Sequence, residues 1–127
     1  MKLEEQNLGW ANIQDAVDLL GAQELAAYEV QNERGATTGI LVATSVGLFD
    51  VRFVEAEERL EGGVRNWSDV RAGLAWTKIG NDAARYRIQV NEETLPLPET
   101  GSARLQAWRD FVAAVLPRAG VPRSQSV

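Results

Sequence analysis

The sequence predicts an α+β, mainly β, protein: a curled seven-stranded antiparallel barrel closed by a C-terminal helix, with an additional N-terminal helix. Three observations carry this prediction. In GILVATSVGLFDVRFV, Gly39–Val54, the residues Phe49, Val51 and Phe53 fall on one face of an extended chain and Asp50 and Arg52 on the other. That period of two marks a half-buried strand, here returning from Ile40–Thr44 through a turn at Ser45-Val46-Gly47. In Arg85–Val90, Tyr86, Ile88 and Val90 alternate with Arg85, Arg87 and Gln89, behind the hairpin signal Gly80-Asn81-Asp82. Finally, Leu105, Trp108, Phe111, Val112, Val115 and Leu116 recur at intervals of three and four, the stripe of a helix that stops before Pro117.

The remaining elements follow in order. Residues Asn7–Leu20 read as a helix with Trp10, Ile13, Val17 and Leu20 on one side, Asp15 and Asp18 on the other, and Gly21 as its C-cap. Glu24–Gln31 alternates as a first strand, and the polar stretch Asn32–Thr38 leads into the hairpin. Glu55–Glu61 is charged and is followed by Gly62-Gly63, which would break a helix, so the expectation is a long exposed loop. A short strand Val64–Trp67, a turn Trp67–Val70 and a strand Arg71–Ile79 come next, with Val70, Ala72, Leu74 and Trp76 on a common face. A short extended piece, Thr94–Leu97, precedes the last helix, for which Thr100 or Ser102 is the cap. The domain reading is an N-terminal helical extension over 1–21, the barrel with its helix over 22–117, and a flexible tail over 118–127.

Composition narrows the chemistry. At 127 residues and 45% hydrophobic, the chain suits one domain with a real core. It contains no cysteine and no histidine, which removes disulfides, thiolate nucleophiles, Cys-ligated metals and the commonest general base and metal ligand. No apolar run reaches the roughly 18–20 residues of a membrane span. The opening MKLEEQNLGW lacks the apolar core of a signal peptide, so the expected location is the cytoplasm.

The net charge of −5 gathers acid between Gln23 and Gly63, whereas Arg104, Arg109, Arg118 and Arg123 follow Gly101. Four scattered arginines suit the solvated side and C-terminus of a helix better than a nucleic-acid surface. The carboxylates Glu55, Glu57, Glu58 and Glu61 read as a repelling, solvated run rather than a metal or acid–base site, and no cofactor is expected. Asp69 after Ser68 is a turn residue, with no histidine to complete a catalytic pair, so the chain is not expected to be an enzyme.

The order of elements resembles the bacterial pleckstrin-homology-like domains. The resemblance is carried by ILVATSVGLFDVRF, where a threonine ends one strand and Gly-Leu begins the next, by RNWSDVRAGLAW, and by the final helix LQAWRDFVAAVL. It spans about Gln23–Leu116, and the leading helix lies outside it. Members that bind phosphoinositides use cations around the loop between the first two strands. Here that loop offers only Arg34, beside Glu33, which argues against membrane-lipid recognition by that route.

What the resemblance implies is a protein- or peptide-binding module, with an open sheet edge beside a helix as the place for an added strand. Two other readings stand beside it: a small acidic secretion-type chaperone acting as a dimer, which requires a helix between the third and fourth strands, and a barrel whose inward Phe49, Phe53 and Trp76 hold a small apolar ligand. Trp76 and Trp108 are assigned to the core, and Trp67 to a partly exposed strand end. The candidate binding residues are Trp10, Ile13, Val17 and Trp67. The helix that carries the first three packs on its own barrel or pairs with a second copy as a homodimer.

Overall fold

The computed structural model describes residues 8–54 and 57–121, with side chains from Gln14 onward. Among the described residues it is mainly β, with seven strands and two α-helices. The chain divides into two compact units, Met1–Asn66 and Trp67–Val127.

The first unit begins with helix α1, Leu8–Leu19. It ends as its sequence dictates: Gly21 takes the left-handed conformation at φ +64°, Gly21 N–H donates to Asp18 C=O at 3.1 Å, and Ala22 N–H donates to Val17 C=O at 2.9 Å. This pair of bonds satisfies the last carbonyls of the helix and turns the chain toward the sheet. Strands β1 (Glu24–Gln31), β2 (Thr37–Thr44), β3 (Gly47–Val54) and β4 (Arg59–Asn66) form one antiparallel sheet in sequence order. The register sets Ile40 opposite Val51 and Val42 opposite Phe49, which places the four on one face. Val17 of α1 is buried against these four, and Ala16, Ala22, Phe53 and Leu60 pack around them.

Strand β4 departs from expectation. The ladder with β3 runs from Val54 opposite Arg59 to Gly47 opposite Asn66, so 59–63 is strand and not loop. Glycines weaken a strand interior, but they are required where two backbones approach closely. A Cβ at Gly62 would stand 2.5 Å from the Asp50 carbonyl oxygen. Only residues 55–58 separate β3 from β4.

The second unit opens with a 3-10 turn at Trp67–Asp69 and continues with β5 (Ala72–Thr77), β6 (Arg85–Val90) and β7 (Glu93–Pro96), a three-stranded antiparallel sheet in sequence order. Helix α2, Ala103–Val115, buries Trp108, Phe111, Ala114 and Val115. The Trp108 indole N–H donates to the Leu95 carbonyl at 3.0 Å, tying helix to sheet. Ser102 holds the N-cap position, but its hydroxyl makes no capping bond.

The seven expected strands are present, but they do not form one curled barrel. They pair as four and three, and no ladder among the described residues joins β4 to β5. Past α2 the described chain reaches residue 121. Gly120 N–H donates to Val70 C=O at 2.8 Å and Ala72 N–H to Gly120 C=O at 2.9 Å, so the chain is bridged to β5 through Gly120.

Candidate binding surface

The outer edge of β4 is the main candidate. Strand order makes β4 terminal in its sheet, and no described strand pairs with its far side. Most of its residues are exposed. The ladder places Leu60, Gly62 and Val64 on the face shared with Phe53, Val51 and Phe49, while Glu61, Gly63 and Arg65 fall on the opposite face.

These two faces differ in chemistry. On the first, a groove of some 410 Å³ runs between the C-terminal end of α1 and β4, lined by Ala16, Leu19, Leu20, Phe49, Val51, Leu60, Gly62 and Val64 among others. The missing side chain at Gly62 opens its floor, and exposed Leu19 and Leu20 form its wall. Leu20, expected on the buried stripe, stands past the last helical residue and is half-exposed here. On the second face the surroundings are charged. Arg52 lies 3.8 Å from Asp50, and Arg59 pairs with Glu61 at 3.0 Å and with Glu57.

Of the residues proposed from sequence, Val17 and Trp67 have described side chains. Val17 is a core residue of the first unit and presents nothing to a partner. The side chains of Trp10 and Ile13 lie outside the described residues, as does Glu55. Trp67 sits half-buried in the 3-10 turn. Trp76, assigned to the core and to an apolar cavity, is exposed, whereas Trp108 is buried as expected. Sequence reasoning missed Leu19, Leu20 and the Gly62 floor. Two adjacent glycines inside an otherwise alternating segment were the available signal, since in a strand they mark close backbone approach.

Among the described residues no three His, Cys, Asp or Glu side chains converge as a metal site, and no helix is long and apolar enough to cross a membrane. Comparison with protein-family models, with curated proteins and with solved structures found no match to this chain.

Proposed function

We propose that this chain is a non-catalytic module that captures an extended peptide as an additional strand on the outer edge of β4. The observation that carries the reading is the coincidence of a strand that ends the order of its sheet among the described residues with an apolar groove on one of its faces and charged residues on the other. A strand added there exchanges main-chain hydrogen bonds with β4, and its side chains point alternately to the two faces. The peptide that fits therefore alternates. Apolar residues enter the groove between Leu20 and Val64, and polar or charged residues meet Asp50, Arg52 and Glu61. A pleckstrin-homology-like kinship remains part of the proposal, supported by the order of seven strands and a following helix.

The test is selection of random peptides displayed on phage against the full chain, followed by amide chemical-shift mapping of a selected peptide. Alternating apolar–polar sequences are expected, with shifts concentrated in β4 and the end of α1, and binding at least about tenfold weaker in Leu20→Asp. Shifts confined to other strands, or undiminished binding by Leu20→Asp, would refute the reading.

A further inference from the structure

Gly62 leaves a gap on the apolar side of the β4 edge, and the main chain at that gap points outward. Gly62 stands opposite Val51 in the ladder with β3. The carbonyl oxygen of the preceding residue, Asp50, is directed at β4, since a Cβ on Gly62 would stand 2.5 Å from it. In an antiparallel ladder this makes Gly62 and Val51 the close kind of pair, which exchanges no hydrogen bonds. The N–H and C=O of Gly62 therefore point away from β3, to the side where no described strand pairs. Leu60 and Val64, two residues away on either side, direct theirs the same way. The three residues that offer main-chain bonds at the edge are also the three of β4 on the groove face.

A strand added antiparallel sets one residue directly opposite Gly62, exchanging two hydrogen bonds with it and sharing its groove face. Leu60 and Val64 raise side chains on the two flanks, whereas Gly62 raises none. The facing residue must itself cover Gly62 and reach Val51 and Phe49, which line the groove from the next strand. Strands lie about 4.8 Å apart, so Val51 is two spacings, about 10 Å, from the added backbone. A short aliphatic side chain stops over the glycine, and a ring spans the remaining distance.

We propose that the peptide captured at β4 carries an aromatic residue opposite Gly62, its ring laid across the glycine against Val51 and Phe49. The inference rests on the peptide-capture reading and narrows its class of ligand. An aromatic side chain facing an edge glycine supplies the contact that the glycine withholds. The ring buries about 150–250 Å² and meets Phe49 as an aromatic pair. Leu19 and Leu20 of the groove wall are 85% and 47% exposed, so apolar surface stands uncovered beside the ring position.

The test is titration of the full chain with four synthetic, end-capped nonapeptides. In each, Val alternates with Ser, and the central Val is replaced by Phe, Trp, Leu or Ala. The Phe and Trp peptides are expected to bind about tenfold or more tighter than the Leu and Ala peptides. In proton spectra their rings are expected to move the Gly62 Hα and Val51 methyl resonances upfield, and the Leu peptide is expected to leave them in place. A Leu peptide that binds as tightly as the Phe peptide, with amide shifts still centred on β4, overturns the aromatic preference and leaves capture at this edge standing. Ring-current shifts confined to β1, the other end of the sheet order, overturn it as well. Binding by none of the four at millimolar concentration overturns the capture reading and this inference with it.

Discussion

Gly62 faces the Asp50 carbonyl oxygen so closely that a Cβ on the glycine would stand 2.5 Å from it. The neighbouring Gly63 is different, since a Cβ there would meet only the Asp50 carboxylate, at 3.9 Å. Gly62→Ala is therefore expected to destabilise the chain by about 1–3 kcal/mol, because a backbone carbonyl cannot swing aside as a side chain would. Gly63→Ala is expected to be neutral or to stabilise by up to about 1 kcal/mol, through the lower entropy of its unfolded chain. Urea unfolding of the two variants checks this, and equal losses would remove close approach as the reason for a glycine at 62.

Thr44 organises the turn between β2 and β3. Its buried hydroxyl donates to Gly47 C=O at 2.8 Å and accepts from the N–H groups of Gly47 and Val46 at 3.1 and 3.2 Å. Thr44→Val keeps the shape and strands these partners, for an expected loss of about 1–3 kcal/mol. Thr44→Ser keeps the bonds and gives up one methyl, about 1 kcal/mol. A valine variant as stable as the serine variant, by thermal unfolding, would show that the turn does not depend on the hydroxyl.

The Trp108–Leu95 bond separates two contributions in the second unit. Trp108→Phe retains most of the buried ring but leaves the Leu95 carbonyl without its donor, an expected loss of about 1–3 kcal/mol. Trp108→Ala adds a cavity and is expected to lose about 3–5 kcal/mol. Denaturant midpoints of the two variants are the measurement, and similar values would mean that the site collapses around the missing ring.

Arg59 stands between Glu57 and Glu61 in a half-exposed cluster at the start of β4. Exposed pairs of this kind contribute little, so Arg59→Ala is expected to change stability by less than about 1 kcal/mol, with the difference vanishing in high salt. A larger, salt-independent loss would mean that the arginine stem packs on the sheet.

Much of the fold was legible because each periodic segment reports its own geometry. The alternation of Phe49, Val51 and Phe53, the stripe around Trp108 and Phe111, and the helix stop at Gly21 all depend on neighbours a few residues away. The candidate edge was harder to read. Gly62-Gly63 looks like a loop until the distance between β3 and β4 is known, and that distance is a property of the assembled sheet. The groove has the same origin, since Leu20 and Val64 meet its space from two elements far apart in sequence.

Trp76 marks the boundary between the two kinds of information. Sequence alternation determines that it shares a face with Ala72 and Leu74, because successive side chains of a strand point to opposite sides. Alternation says nothing about how far along that face another element reaches. Only the tertiary structure decides that Ile88 is buried and Trp76 is left in solvent, since burial depends on which residues α2 lies over. The grouping of the strands is settled in the same way. Seven antiparallel strands were written in local pattern, whereas their division into sheets of four and three rests on hydrogen bonds that form only between segments already folded.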